Sequence, residues 1–391
     1  MNLDKDIMVG VLGAGTMGSG IAQIAAQNGH KVILVDKNQQ ALEKTEKRLA
    51  KILSRLVEKG KIDEEKKNSI LENIEFTTSL NRFKECAFVV EAIVENLEIK
   101  TEVFKTLEEF MPEDAVIATN TSSLSIASIS AAFKKPERFL GVHFFNPAPL
   151  MPLVEVVPSF ITDEKIVIAV KQLMLNWSKA PVIVKDTPGF IVNRVARPFY
   201  AEALRIYEEG LADIPTIDWA LKEIGGFKMG PFELMDYIGH DVNYVVTETV
   251  FKQFYYDPRF KPSITQLRLL EAGQLGRKSG RGFYDYSEGA SNPEANQDKE
   301  LGEYILGRVL AMLINEAADA VFMNIASKED IDMAMTKGVN YPKGLLAWAD
   351  EIGIEKVLNS LESLFFEYGE DRYRPNPLLR KMARENSSFF E

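Results

Sequence analysis

Cysteine, histidine and tryptophan are scarce in this chain of 391 residues, which contains 1 Cys, 3 His and 3 Trp. A single cysteine excludes an intrachain disulfide framework and a cysteine-based metal cluster, so we expect no bound metal. No apolar run approaches the roughly 18 residues that cross a bilayer, and the segment Met1–Asp6 is polar and charged. We therefore expect a cytoplasmic protein without a membrane partner.

Positive charge is also in short supply, because the formal net charge is -11 at pH 7. Nucleic acids are bound by clustered Lys and Arg, so this balance argues against a nucleic-acid partner. The 46% hydrophobic and 26% charged content is typical of a globular protein, and the length favours two or three domains. Cys86 lies in an apolar run and is predicted to be a buried strand residue.

A glycine-rich loop follows the first apolar run and precedes a predicted helix. A second predicted strand then ends at Asp36, so the loop has the context that a dinucleotide-binding fingerprint requires. The glycines permit a tight turn and a close backbone approach to pyrophosphate, and the helix N-terminus offers free amides. Asp36 is suited to a ribose diol and would repel a 2'-phosphate, which favours NAD over NADP. The cofactor-binding residues predicted here are Gly13, Gly15, Met17, Gly18 and Asp36.

Strand and helix signals alternate along the first half of the chain, which predicts an α/β, Rossmann-type doubly wound parallel sheet over 1–187. A charged segment, Gln39 to Asn73, is predicted to form two helices. The predicted strands are Ile7 to Leu12, Lys31 to Val35, Ile74 to Phe76, Ala87 to Ala92, Val116 to Ala118, Phe139 to Phe145, Leu153 to Val157 and Val182 to Val184.

After Pro188 the strand signal almost disappears and helical periodicity replaces it, for example in Val192 to Glu209 and Ile217 to Ile224. We predict a helical domain over 188–286 and a linker from Ser287 to Asp298, which is rich in Ser, Asn and Pro. A second helical domain is predicted over 300–391.

The second helical domain repeats the first with a constant offset of 114 residues. Asn193 corresponds to Gly307, so the second copy lacks that side chain and is predicted to be structural. Several positions carry the same residue type in both copies. They are Arg194 and Arg308, Glu202 and Glu316, Ala203 and Ala317, Ile217 and Ile331, Asp218 and Asp332, Ala220 and Ala334, Gly230 and Gly344, Asp236 and Asp350, and Gly239 and Gly353.

His143 is followed 12 residues later by Glu155. A neutral imidazole backed by a buried carboxylate is suited to take a proton from an alcohol near neutral pH. His30 is predicted at a helix-to-strand turn and His240 in a loop, so His143 is the candidate base. The alternative is a core histidine whose only role is to satisfy its hydrogen bonds.

Taken together, the motifs from Ile7 to Tyr286 resemble those of the L-3-hydroxyacyl-CoA dehydrogenases. The resemblance extends through the second helical copy. The motifs are the glycine loop, Val90-Glu91-Ala92-Ile93-Val94-Glu95, Thr119-Asn120-Thr121-Ser122-Ser123-Leu124, Val142-His143-Phe144-Phe145-Asn146-Pro147, Leu153-Val154-Glu155-Val156 and Asp186-Thr187-Pro188-Gly189-Phe190-Ile191-Val192-Asn193-Arg194.

This resemblance implies an active-site set of Ser122, His143, Glu155 and Asn193. Ser122 and Asn193 would bind the substrate oxygen as charge develops on it. The alternative is that Ser122 or Ser123 caps a helix predicted from Ser125 to Ala131, and that Asn193 likewise caps its helix. The resemblance also assigns Glu95, Lys100, Asn120 and Asn146 to the cofactor pocket.

The substrate implied by the resemblance is an acyl-CoA, whose phosphates require a cationic contact. Arg55 and Lys59 lie about one helical turn apart and are our candidates for it. A solvated helix face explains the same two charges equally well.

The activity implied is the reversible NAD-dependent oxidation of an L-3-hydroxyacyl-CoA to a 3-oxoacyl-CoA. The stretch Phe227 to Asp236 and the doubled helical tail look like bacterial enzymes of aromatic degradation that act on 3-hydroxyadipyl-CoA. The alternatives are a gulonate-type dehydrogenase of a free hydroxy or sugar acid, a dehydrogenase with a lysine base, and a non-catalytic dinucleotide sensor. The chain is expected to be either a homodimer or a monomer with an internal pseudo-dimer.

Overall fold

The computed structural model describes Leu3 and residues 6–390, so most of the N-terminal segment examined above lies outside the described residues. The chain divides into two compact units, Met1–Phe190 and Ile191–Glu391. The first unit ends three residues after the predicted boundary at 187, and the second contains the two predicted helical domains from Ile191 onward. No helix within the described residues is both long enough and apolar enough to cross a membrane.

The strands of the first unit form one eight-stranded sheet within the described residues, with the order β3-β2-β1-β4-β5-β6-β7-β8. Every neighbouring pair is parallel except β6 and β7, which are antiparallel. The largely parallel, doubly wound sheet predicted from the sequence is therefore confirmed. The strands are β1 Met8–Leu12, β2 Lys31–Val35, β3 Ile74–Thr77, β4 Phe88–Glu91, β5 Val116–Thr119, β6 Phe139–Phe144, β7 Leu153–Pro158 and β8 Ala180–Ile183.

Helices cover the sheet of the first unit, and the apolar side chains between the two layers form its core. Cys86 is fully buried as predicted, although it lies just before β4. The charged segment does form two helices, each begun by a side-chain cap, from Asn38 and Asp63 respectively. The helices are α1 Thr16–Gln27, α2 Gln39–Glu58, α3 Glu64–Glu72, α4 Leu97–Glu108, α5 Ile126–Ser130 and α6 Glu164–Asn176.

The second unit is helical in its described part, as the sequence predicts. The segment from Ser287 to Asp298 contains no helix or strand, and Asp298 caps the helix that follows. The helices are α7 Val192–Val195, α8 Arg197–Glu208, α9 Ile214–Trp219 with a π-helical extension over Ala220–Ile224, α10 Pro231–Ile238, α11 His240–Gln253, α12 Ile264–Glu271, α13 Lys299–Phe322, α14 Lys328–Gly338, α15 Leu345–Ile352, α16 Ile354–Tyr368 and α17 Pro377–Glu385.

The two helical copies contact each other through reciprocal buried ion pairs. Arg194 Nε donates to Glu316 Oε1 at 2.6 Å, and Arg308 Nε donates to Glu202 Oε1 at 2.5 Å. With the 114-residue offset, each arginine and each glutamate corresponds to the other. This exchange is the contact pattern of a two-fold symmetric dimer interface, here formed within a single chain.

A second repeated feature begins α10 and α15. Asp218 accepts hydrogen bonds from the amides of Phe232 and Glu233, both at 2.9 Å. Asp332, its counterpart, accepts the same two bonds from Leu346 and Ala347, also at 2.9 Å. Because these helix-initiating contacts recur residue for residue, the predicted duplication extends to the local structure.

Candidate active site

His143 and Glu155 lie opposite each other on β6 and β7. The two strands are antiparallel and directly pair these residues, so the 12-residue spacing in the sequence brings both side chains to one face of the sheet. His143 Nδ1 lies 2.7 Å from Glu155 Oε2. His143 is 7% exposed and Glu155 is 1% exposed, so the pair is largely shielded from solvent.

Aromatic rings enclose the imidazole. The ring centroid of His143 lies 4.5 Å from that of Phe145 and 6.0 Å from that of Phe190. Asn120 accepts a hydrogen bond from the backbone amide of Phe144 at 2.8 Å, which fixes the strand next to His143. The alternative of a core histidine with satisfied hydrogen bonds fits the burial of the ring, and the Glu155 partner fits an acid–base role, so the role of His143 stays a prediction.

Glu95 organises the turn that follows β5. One of its oxygens accepts hydrogen bonds from the Thr121 hydroxyl at 2.6 Å and the Ser122 amide at 2.9 Å. The hydroxyls of Ser122 and Ser123 also point to that oxygen, at 3.4 and 3.0 Å. Burial raises the pKa of Glu95, but the Thr121 hydrogen bond and the Lys100 charge outweigh it and leave that pKa below its usual range. The turn is therefore built around an ionised carboxylate.

Lys100 is buried beneath this turn and connects Glu95 to a second glutamate. Its Nζ lies 2.5 Å from Glu91 Oε1 and 3.4 Å from Glu95 Oε2. The other oxygen of Glu91 accepts a hydrogen bond from the Thr119 hydroxyl at 2.6 Å. Sequence reasoning missed Glu91 as part of the site. A fully buried glutamate that ends an apolar strand, with a lysine nine residues later, is the signal that identifies it.

The helix-cap alternatives for the polar candidates are not supported by the geometry. Ser125 caps α5, because its hydroxyl accepts from the Ser128 amide, so neither Ser122 nor Ser123 has that role. The first turn of α7 contains Asn193, and the residue at the cap position is Ile191. Asn193 belongs to the helical unit, whereas the other three members of the proposed set belong to the first unit.

A cavity of about 540 Å³ opens at the carboxyl ends of β1, β2 and β4. The strand order reverses between β1 and β4, which is where doubly wound sheets bind dinucleotides. A Cβ on Gly13 would lie 2.5 Å from the Ala92 carbonyl oxygen, and one on Gly18 would lie 1.9 Å from that of Gly13. A Cβ on Gly15 would meet nothing within 4 Å, so this backbone faces open space.

The polar groups around this cavity fit a dinucleotide. No side chain within the described residues caps the start of α1 at Gly15, so its first amides can bind a pyrophosphate. Asp36 lines the cavity, where its two oxygens accept from the amides of Ala14 at 2.8 Å and Asn38 at 2.9 Å. Arg48, which sequence reasoning also missed, donates to the Gly15 carbonyl oxygen at 3.3 Å and so helps to hold the backbone of the glycine loop.

The remaining predicted contacts are half-buried or exposed. Met17 is half-buried in the first turn of α1, and Asn146 is exposed just beyond β6. Arg55 lies in the last turn of α2 and Lys59 caps its C-terminus, and both side chains are exposed. No contact within the described part of the first unit distinguishes a CoA site from a solvated face at these two residues, so their role stays a prediction.

Two family models match almost the whole chain. The 3-hydroxyacyl-CoA dehydrogenase NAD binding domain matches residues 8–187. The 3-hydroxyacyl-CoA dehydrogenase C-terminal domain matches twice, at 189–286 and at 304–388, in agreement with the internal repeat.

Relatives of known activity have similar sequences and structures. The 3-hydroxyadipyl-CoA dehydrogenase of Escherichia coli is 38% identical, over 97% of this chain and 98% of its own. The 3-hydroxybutyryl-CoA dehydrogenase of Clostridioides difficile is 41% identical, over 71% of this chain and 99% of its own. A crystal structure of 3-hydroxybutyryl-CoA dehydrogenase from E. coli K12 superposes with a TM-score of 0.92 at 37% identity, covering 97% of this chain and 98% of that one.

Proposed function

The chain belongs to the 3-hydroxyacyl-CoA dehydrogenase family, and from this we propose that His143 and Glu155 carry out a reversible NAD-dependent oxidation of L-3-hydroxyacyl-CoA to 3-oxoacyl-CoA. The observation that carries the proposal is the 2.7 Å contact between these two buried side chains. The family's N-terminal domain binds NAD, and the cavity beside Gly15 and Asp36 has the position and the groups to accept it.

The proton chemistry follows from the tautomer. If Glu155 is ionised, it can only accept a hydrogen bond, so His143 Nδ1 carries the ring proton and Nε2 is left as an acceptor. Nε2 then takes the proton of the substrate's 3-hydroxyl, and the carboxylate stabilises the imidazolium that forms. In the reducing direction the same atom returns the proton. Bound NAD supplies the carbon that accepts the hydride from C3.

Ser122 and Asn193 are proposed to bind the 3-oxygen of the substrate, where charge changes during the reaction. For Ser122 the support is that Glu95 fixes the backbone of the turn by accepting from the amides of Ser122 and Ser123, which holds the residue in place. For Asn193 the support is its position inside the first helical turn, where its side chain is not used as a cap. Arg55 and Lys59 remain our candidates for the CoA phosphates.

The narrower substrate that we propose is 3-hydroxyadipyl-CoA. The E. coli relative with that activity covers 97% of this chain, including the second helical copy. The clostridial 3-hydroxybutyryl-CoA enzyme matches only 71% of it. The second helical copy is shared with that enzyme and equally with the E. coli protein named 3-hydroxybutyryl-CoA dehydrogenase, so the support specific to the dicarboxylic substrate is the stretch Phe227 to Asp236.

A substrate panel tests the proposal. Purified protein is assayed with acetoacetyl-CoA and NADH, with 3-hydroxybutyryl-CoA and 3-hydroxyadipyl-CoA plus NAD, and with gulonate plus NAD. We expect turnover of the CoA thioesters and none of gulonate. Turnover of the free acid alone would refute the proposal and favour the gulonate-type alternative.

We also propose that the chain is a monomer, with the second helical copy in the place of a partner subunit. The support is the reciprocal exchange between Arg194–Glu316 and Arg308–Glu202, which satisfies a two-fold interface internally. Sedimentation equilibrium should give the mass of one chain, and a mass of two chains would contradict this. The cytoplasmic location and the absence of nucleic-acid and membrane partners stay predictions.

A further inference from the structure

Arg197, the first residue of α8, is buried without an acidic partner in the described part of the chain. The residue is 5% exposed, and Nη1 donates to the Thr247 hydroxyl at 3.2 Å. Its Nε–H is buried and has no acceptor among the residues that the structure describes. The guanidinium lies 4.9 Å from the centre of the Tyr200 ring, a contact that offsets only part of the lost hydration.

A second unsatisfied donor lies in the same region. Tyr341 is 6% exposed, and its hydroxyl has no hydrogen-bond partner among the described residues. Tyr341 and Arg197 influence each other electrostatically, and burial raises the pKa of the phenol well above its usual value, so the hydroxyl keeps its proton. An Arg N–H can only donate and a phenol can donate as well, so an acceptor with negative charge would satisfy both groups.

The helical fold does not require these polar groups. With the 114-residue offset, Arg197 corresponds to Ala311, Tyr200 to Ile314 and Thr247 to Leu361. These three second-copy residues are buried. The second copy thus packs the same positions with apolar side chains. Arg197, Tyr200 and Thr247 therefore occur only in the copy that has Asn193, whose own counterpart is Gly307, whereas Tyr341 belongs to the second copy and corresponds to Phe227. A role linked to Asn193 explains this distribution better than packing does.

The spacing between Arg197 and Asn193 fits one class of substrate. Ala196, which joins α7 to α8, has helical backbone angles, so Arg197 lies one turn beyond Asn193. Side chains so related are about 5–6 Å apart at Cβ. In a six-carbon 3-hydroxy dicarboxylic acyl chain, the terminal carboxylate lies three carbon–carbon bonds from C3, which is about 4 Å in an extended chain.

We propose that Arg197 and the Tyr341 hydroxyl bind the terminal carboxylate of a dicarboxylic 3-hydroxyacyl-CoA, one helical turn from the Asn193 that contacts its 3-oxygen. This inference rests on the proposed function, which supplies the role of Asn193. An acyl chain ending in methyl leaves both donors unsatisfied, so the site selects for the dicarboxylic substrate.

The test is the ratio of kcat/KM for 3-hydroxyadipyl-CoA to that for 3-hydroxybutyryl-CoA, measured with NAD. The wild type should have a ratio above one. Arg197→Met should lower the ratio by about 30-fold or more, because the carboxylate then lacks its counter-ion. Arg197→Lys, which keeps the charge but not the fork of donors, should give an intermediate ratio.

Tyr341→Phe removes only the hydroxyl and serves as the second variant. Phe227 occupies the equivalent position of the first copy, so a phenylalanine is compatible with the fold. We expect the ratio to fall by about tenfold. If Arg197→Met fails to fold, this variant decides the question.

Two results would overturn the inference. One is a wild-type ratio below one, and the other is a ratio that stays within about threefold of wild type in the folded variants. In either case turnover of both thioesters by the wild type would leave the proposed function standing. A wild type that turns over neither thioester would refute the function itself, and this inference with it.

Discussion

Asp36 is a carboxylate that supports the glycine loop and that we propose also binds the cofactor. Its oxygens each accept one backbone amide, from Ala14 and Asn38, and it lines the cavity at the end of β2. Each oxygen keeps a further lone pair for a ribose hydroxyl. A 2'-phosphate in the same place would meet a like charge, so we attribute the selection of NAD to this residue.

Asp36→Asn tests that selection. The amide keeps one acceptor oxygen for the loop but removes the charge, so the kcat/KM ratio of NADH to NADPH should fall by about tenfold or more. Glu46→Gln, which removes an exposed carboxylate from α2, is the matched control and should leave the ratio at its wild-type value. An unchanged ratio in Asp36→Asn would show that another group selects the cofactor.

At this scale the sequence identifies the residues that belong to motifs and misses those that support them. His143, Glu155 and Asp36 are recognisable from spacing and context. Glu91 stands in one of the motifs, but its role, like that of Arg48, is not recognisable there, because it depends on contacts in the folded protein, with Lys100 for Glu91 and with the Gly15 carbonyl for Arg48. A sequence pattern reports neighbours along the chain, whereas burial and partners depend on tertiary packing.

The β6–β7 pair is the element that brings His143 and Glu155, our proposed acid–base group, together. Antiparallel pairing of neighbouring strands places His143 directly opposite Glu155, and a shift of one residue would turn one side chain to the other face. The sequence predicted both strands but not that this pair is antiparallel in a largely parallel sheet. Their direction is set by the eight-residue connection between them, which is too short for a parallel crossover.

The helix starts at α10 and α15 give a pH-dependent prediction. Burial raises the pKa of Asp218 from 3.8 to about 7, although the amides of Phe232 and Glu233 and the Tyr284 hydroxyl oppose the rise. The folded state therefore binds more protons than the unfolded state between those values. The stability that Asp218 contributes is fully present below about pH 4 and is lost as pH rises through about 7.

Asp218→Asn should remove this loss. Between pH 4 and 7 the free energy of unfolding should fall less steeply in the variant than in the wild type, by at most about 1.4 kcal/mol per pH unit. Urea unfolding at several pH values measures the slope. Asp332→Asn should change it in the same direction, because burial also raises the pKa of Asp332. Parallel slopes for all three proteins would contradict the prediction.

The two helical copies meet through reciprocal contacts of the kind found in a two-fold dimer interface, here within one chain. Arg308 donates to Glu202 from one copy to the other, and Glu209 and Tyr373 also contact its guanidinium. Removing one partner of a buried ion pair leaves an uncompensated charge. The duplication itself was visible in the sequence, but the exchange of partners between the copies was not, because an offset does not say which surfaces meet.

Arg308→Met should lower the free energy of unfolding of the helical unit by about 3–5 kcal/mol. Arg380→Met, which breaks an exposed pair with Glu362, is the control and should change it by less than about 1 kcal/mol. Adding Glu202→Met to Arg308→Met should restore part of the loss, since a buried apolar pair can replace a buried ion pair. Equal losses in the two single variants would show that the reciprocal pairs do not hold the copies together.

The most direct measurement for the whole account compares chemistry and cofactor binding in His143→Gln. Glutamine keeps a polar side chain at the position but cannot accept and return a proton, so kcat with acetoacetyl-CoA and NADH should fall by about 100- to 10,000-fold. The dissociation constant for NADH, measured by fluorescence titration, should stay within about threefold of the wild type because the cavity at Gly15 is unchanged. Full activity in this variant would contradict the assignment of His143 as the base.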